Sequence, residues 1–132
     1  MVAAHARCAL NFKLSSGQAG DAPEGRQLLR AGGRAPAGCH LAMDRAYEGD
    51  DTRQLAQELG YIPVVPPNPN RLHPWEYDRF IYRRRNEVER LFRRLKGFRR
   101  VFSRYDKLDL MFAAFVLFAL IVDALRFSVN TP

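Results

Sequence analysis

Four side chains with chemical potential stand at fixed spacing in residues 81–106, IYRRRNEVERLFRRLKGFRRVFSRYD: Tyr82, Arg85, Glu89 and Lys96. On a helix that advances about 100° per residue, Tyr82, Arg85 and Lys96 fall roughly +20°, −40° and −20° from Glu89. A phenol, a guanidinium, a carboxylate and an ammonium therefore share one narrow edge. Beside that edge runs an apolar stripe of Ile81, Val88, Leu91, Phe92, Leu95 and Phe98 at helical spacing. Arg83, Asn86, Arg90, Arg93 and Arg94 cover most of the remaining arc. Guanidinium forks match phosphate oxygens well, so this arc reads as a phosphate-binding surface, with a solvated helix face as the alternative. Glu87 lies among the exposed residues and reads as a surface ion-pair partner. Glu89 lies at the boundary between core and solvent, where a helix lines a cleft.

The overall charge points the same way. The chain has 132 residues, with 21 Lys and Arg against 14 Asp and Glu and a formal net charge of +7. Residues 71–107 hold thirteen of the basic residues and five of the acids, so the excess is concentrated there. Such a surface favours a polyanionic partner, although composition alone does not choose between nucleic acid, membrane and acidic protein. Cys8 and Cys39 are too few for a disulfide framework, and no secretory signal is recognisable, which places the protein in a reducing cytoplasm. His5-x-x-Cys8 and Cys39-His40 have poor spacing for a tetrahedral zinc site, so no zinc is expected.

The elements that must position these residues are legible in outline. LNFKL, residues 10–14, alternates as a short strand does, and a helix from about Pro23 to Arg30 follows, with Asp21 placed to cap it. CHLAMD reads as a strand ending in Asp44, DDTRQLAQELG as a helix stopped by Gly60, and YIPVVP as another strand. Strand, helix, strand with short links implies a right-handed crossover and a parallel pair, hence an α/β class. Asp44 would then sit beyond the carboxyl end of a strand, where chemistry gathers in open α/β sheets; the alternative is a turn residue at the start of a helix. Residues 66–77 form a proline-rich linker, and one long helix is expected from about Asp78 to Arg100. The thirteen apolar residues from Leu110 to Val122, flanked by Asp109 and Asp123, are short of the roughly 20 that a membrane span needs, so a buried core helix is expected.

The spacing Y82-x2-R85-x3-E89-x6-K96 resembles the Y-R-E-K signature of insertion-sequence transposases of the DDE type, at all four positions. RNEVERLFRRLKGFRRVFSRYDK is similar to that family's glutamate-bearing helix, DRAYEGDDTR to the segment opening with its second catalytic aspartate, and LSSGQAGDAPEGRQLL to the strand and helix upstream. The resemblance spans roughly residues 10–126. It implies a ribonuclease H-like α/β fold in which two Asp and one Glu hold two Mg²⁺ (or Mn²⁺) ions for phosphoryl transfer on DNA. By that resemblance Asp44 and Glu89 are catalytic, metal-binding carboxylates. Arg85 and Lys96 position DNA phosphate, Tyr82 helps place the strand end, and Arg90 and Arg93 extend the DNA-binding surface.

The family's first aspartate has no counterpart ahead of LNFKL, because MVAAHARCAL contains no acid. The expectation is a single partial DDE domain: residues 10–65 as the strand and helix portion, 66–77 as linker, and 78–126 as the Glu-bearing and C-terminal helices. It would lack an early strand and be inactive alone. An exposed sheet edge would invite self-association or pairing with an upstream transposase segment. Two sources fit, a remnant of a decayed element or the downstream frame of a frameshifted one. Insertion-element ends are the expected DNA partner, in the cytoplasm and at the nucleoid when DNA is bound. A non-catalytic DNA-binding protein derived from a transposable element is the competing reading, and a small basic membrane protein a third.

Overall fold

The computed structural model describes residues 1–5, 8–104 and 107–129, with side chains as far as residue 126. The chain divides into two compact units, one of Met1–Leu14 with the residues from Asn86 onward, the other of Ser15–Arg85. Helices and two small sheets alternate, so the α/β class holds.

The second unit contains α1 (Asp21–Gly32), β3 (His40–Ala42), a 3₁₀ turn (Arg45–Tyr47), α2 (Asp50–Glu58), β4 (Ile62–Val64) and α3 (Arg79–Arg83). The expected parallel pair is present, with His40 opposite Ile62, Leu41 opposite Pro63 and Ala42 opposite Val64. α2 packs back toward β4 through buried Leu55 and Ala56. Its Thr52 is also buried, and the hydroxyl accepts from Arg26 Nη1 at 3.1 Å, so this polar group is not orphaned. Gly60 ends α2 as expected. At φ 86° it reaches the left-handed region that favours glycine, and the Gly60 and Tyr61 N–H groups donate to the carbonyls of Gln57 and Ala56. α1 starts earlier than expected, on Gly20, and Asp21 stands in its first turn instead of capping it. Its carboxylate there complements the helix dipole.

The other unit pairs β1 (Val2–His5) with β2 (Cys8–Asn11) in an antiparallel hairpin and adds α4 (Asn86–Leu95), α5 (Arg99–Ser103) and α6 (Asp109–Val129). The strand expected at 10–14 lies earlier. The register sets Asn11 opposite Val2, and Phe12 packs into the core instead of extending the ladder. Leu91 and Leu95 of α4 meet Val116, Ala119 and Leu120 of α6, with Phe98, Val101 and Phe112 around them. Each Leu fully removed from water contributes roughly 1.5–3 kcal/mol, which makes this the principal apolar store of the unit.

The single helix expected over 78–100 is instead three. α3 begins where expected, because Asp78 Oδ1 accepts from the Phe80 and Ile81 N–H groups at 2.8 and 3.0 Å. It ends where the Arg84 and Arg85 amides tighten onto Ile81 and Tyr82, one residue closer than α-helical bonding. α4 stops before Gly97, whose missing side chain makes it a poor helix former, and Phe98 is extended at ψ 111°. Phe92, assigned to the apolar stripe, is exposed.

α6 buries one stripe only. Val116, Ala119, Leu120 and Asp123 follow the i, i+3, i+4, i+7 pattern, whereas Leu117, Phe118, Ile121 and Leu125 stay exposed. The expected core helix is therefore core along one face. Among the described residues, no helix is long and apolar enough to cross a membrane. Arg94, expected on the exposed arc, reaches across to Asp123 with Nε 2.9 Å from Oδ2. Removing one member of a pair this sheltered leaves the other charge without a counterion. Asp123→Ala should therefore lose roughly 2–4 kcal/mol in urea unfolding. The double change Arg94→Met with Asp123→Leu should lose clearly less, and equal losses would show that the pair is not the cause.

Candidate functional site

Asp44 follows directly from the β3–β4 pairing. The Met43 N–H donates to the Val64 carbonyl at 3.0 Å, one step beyond the β3 ladder, and Asp44 comes next. It occupies the carboxyl end of its strand, as a site residue of an α/β sheet would. It is also the turn residue that the alternative reading described. Its Oδ1 accepts from the Arg45 N–H at 2.5 Å and so caps the 3₁₀ turn.

The turn itself is seated on α1. Gly25 makes that seat: a Cβ there would lie 3.0 Å from Tyr47 Cδ1 and closer still to Cε1, so the Tyr47 ring rests where any larger residue would stand. Burial raises the Tyr47 phenol above its ordinary range, and the carboxylates of Asp21 and then Asp44 push it further in the same direction. Neither Gly25 nor Tyr47 stands out in the sequence. A glycine inside an otherwise regular helical stretch, GDAPEGRQLL, is the signal that was available.

Arg85 and Tyr82 belong to the same unit as Asp44, and Arg85 reaches it. Arg85 Nη1 lies 3.5 Å from Asp44 Oδ2, with the Arg85 side chain 29% exposed and that of Asp44 56%. The Arg85 guanidinium also lies 5.9 Å from the centre of the Tyr82 ring, which meets Tyr77 edge-on at 5.5 Å. A carboxylate, a guanidinium and two phenol rings thus form one cluster, and Tyr77 is the member that sequence reasoning missed. It sits at the end of the proline-rich stretch, outside any periodic pattern.

Glu89, Arg90, Arg93 and Lys96 belong to the other unit. Glu89 and Lys96 remain on one helical edge, since the Lys96 N–H still donates to Phe92 O at 3.0 Å. Glu89 is half-buried, while Arg93 and Lys96 are exposed. Glu87 is the ion-pair partner expected, with Arg90 Nη1 3.4 Å from its Oε1. The break at 84–85 means that the wheel relating Tyr82 and Arg85 to Glu89 does not apply, because it requires one continuous helix.

No group of three or more His, Cys, Asp or Glu side chains that could hold a metal ion occurs among the described residues. Asp44 already serves an amide with one oxygen and a guanidinium with the other. Among the described residues no complete Mg²⁺ site is therefore assembled.

A family model described as "Transposase DDE domain" matches residues 1–122. The chain belongs to the DDE transposase family. This transposase-family chain is also 32% identical over 118 residues to the "Putative transposase for insertion sequence element IS6501" of Brucella ovis, covering 89% of this chain and 88% of that protein. No solved structure matches it. The family match also takes in β1 and the start of β2, ahead of residue 10 where the resemblance to the family begins.

The Tyr47 shift gives a test of the seat under the turn. A folded-state value above the ordinary 10.0 means that folding favours the protonated phenol. Its contribution is complete below that ordinary value and is lost as pH rises through the raised one. Urea midpoints measured at about pH 9 and about pH 11 should fall more steeply for the unaltered protein than for Tyr47→Phe, which cannot ionise. Parallel slopes would show that the phenol is not held in this way.

Proposed function

We propose that this chain contributes Asp44, Glu89 and an arginine-rich DNA-contact surface to a transposase that cuts and rejoins the ends of an insertion element. The fold proposed is ribonuclease H-like, with the β3–β4 pair as part of its sheet. The observation that carries the reading is Asp44 at the carboxyl end of β3 with the Arg85 guanidinium 3.5 Å away, in a chain of this family. That guanidinium is a phosphate-binding group beside the acid that the family's chemistry needs.

Arg85 holds the phosphodiester next to Asp44 by its planar fork, and Tyr82 packs against it to fix its direction. Arg90, Arg93 and Lys96 carry the backbone of the duplex by charge, which gives register without sequence information. The family's divalent ion, Mg²⁺ or Mn²⁺, would supply activation of the attacking oxygen. Asp44 and Glu89 are this chain's donors toward it. β1 and β2 carry no Asp or Glu, and none occurs in residues 1–20. In this reading the first aspartate of the family comes from another transposase segment, and residues 1–132 by themselves bind DNA without cleaving it.

Two measurements test this. The isolated chain should leave supercoiled plasmid intact in Mg²⁺ and in Mn²⁺, and metal-dependent nicking abolished by Glu89→Ala would overturn the assignment of inactivity. DNA binding should weaken steeply with salt, the log–log slope losing about one for each of Arg93→Ala and Lys96→Ala and staying unchanged for Asp44→Asn. A chain that fails to bind DNA at low salt would remove the DNA-contact surface from the proposal.

A further inference from the structure

Residues 66–77 contain no helix or strand and lie within the Ser15–Arg85 unit, where Arg71 and Trp75 tie them down. Arg71 Nε lies 2.7 Å from Glu48 Oε2, its Nη2 3.1 Å from Asp50 Oδ1, and Nη2 also reaches the Glu48 carbonyl at 3.5 Å. Trp75 Nε1–H donates to the Val65 carbonyl at 2.9 Å. The Arg53 guanidinium lies over its ring at 3.5 Å from the centroid, and that of Arg71 at 4.9 Å.

The position of the two acids gives the Arg71 contacts their meaning. Glu48 closes the 3₁₀ turn that Asp44 caps, its N–H donating to Arg45 O, and Asp50 is the first residue of α2. Between them stands Gly49, which offers no side chain to brace the junction, and a Cβ placed there would meet nothing within 4 Å. One guanidinium therefore spans a bare joint between the turn bearing Asp44 and the helix behind it. Arg is suited to this because its planar fork engages two carboxylates in a fixed geometry, which an ammonium does not. The Arg71 and Glu48 side chains are 28% and 20% exposed, so bulk water screens this pair less than it would a surface ion pair.

We propose that Arg71 is a positioning residue for Asp44: by pairing with Glu48 and Asp50 on either side of Gly49 it locks the Asp44–Glu48 turn onto α2 and fixes the direction in which the Asp44 carboxylate is presented. The functional meaning rests on the reading of Asp44 given above, while the lock itself is independent of it. Trp75, held on the Val65 carbonyl and under Arg53, anchors the segment so that Arg71 arrives already placed.

The experiment is residue-resolved amide hydrogen exchange on the whole chain, for the unaltered protein, Arg71→Gln, Arg71→Lys and Glu48→Gln. In Arg71→Gln the amides of Tyr47 and Glu48 should exchange about tenfold faster, and those of Leu59 and Tyr61 at the far end of α2 should keep their rates. The Arg45 amide resonance, which reports the bond to Asp44 Oδ1, should move in the same variant. Arg71→Lys should restore the rates only in part, because an ammonium on a flexible stem lacks the fixed fork that holds the two carboxylates in one geometry. Glu48→Gln removes the charge from the shortest of these contacts and should reproduce the local loosening in part, so the test survives if Arg71→Gln does not fold. Unchanged rates at Tyr47 and Glu48 would overturn the proposal. So would a uniform rise through residues 15–85, which marks Arg71 as a general stabiliser, or full recovery by lysine. Failure of the Asp44 reading would appear elsewhere, as strand cleavage by a complemented enzyme that Asp44→Asn does not impair.

Discussion

The structure depends on how an arginine-rich chain accommodates its carboxylates. The chain has 21 basic side chains against 14 acidic ones, and much of the geometry follows from which guanidinium takes which carboxylate. Arg85 takes Asp44, Arg71 takes Glu48 and Asp50, Arg90 takes Glu87, Arg104 takes Asp109 and Arg94 takes Asp123. These pairings divide the arginines into two groups. Arg71, Arg85 and Arg94 join segments far apart in sequence, each within its own unit. Arg90 pairs with Glu87 of its own helix, and Arg93 is exposed, so both guanidiniums can meet a polyanion without disturbing the fold.

The parts of the fold legible in the sequence are those governed by local rules. Asp78 begins α3 because a carboxylate in front of a helix accepts its first free N–H groups, and Gly60 ends α2 because it adopts a positive φ without strain. β3, α2 and β4 were found because short apolar runs flank an amphipathic helix. The helix breaks also carried signals. Asn86 opens α4 and Gly97 follows its last turn, yet the apolar stripe continues on both sides of them. The stripe's spacing persists across an interruption only a few residues long, so periodicity alone overstates helix length.

The parts that were not legible are those decided by partners distant in sequence. A helical wheel places Arg94 on the exposed arc, and nothing within α4 reveals that Asp123 waits for it on α6. Proline and asparagine correctly mark 66–77 as lacking regular structure, and they say nothing of Arg71 and Trp75 binding it to α2. For the candidate site, residue types and the end of β3 were readable in advance. The Gly25 seat, the Tyr77 edge contact and the Arg71 brace were not, because each is a contact between elements.

Burial separates the acids that folding uses from those it can spare. Asp123 is 7% exposed in the apolar core of its unit, where an ionised group is tolerated only with a partner, so Arg94 and Asp123 form one structural decision. Asp44 differs. Its side chain is more than half exposed and its guanidinium partner stands at 3.5 Å, and exposed pairs of that kind contribute only about 0–1 kcal/mol. Its cap on a three-residue turn adds little more, since other short polar residues serve that role nearly as well. Stability therefore gives no strong reason for an aspartate at the carboxyl end of β3, backed by a turn that Tyr47, Gly25 and Arg71 hold in place. A rigid support beneath a thermodynamically inexpensive carboxylate is the arrangement expected where the acid acts on something outside the fold.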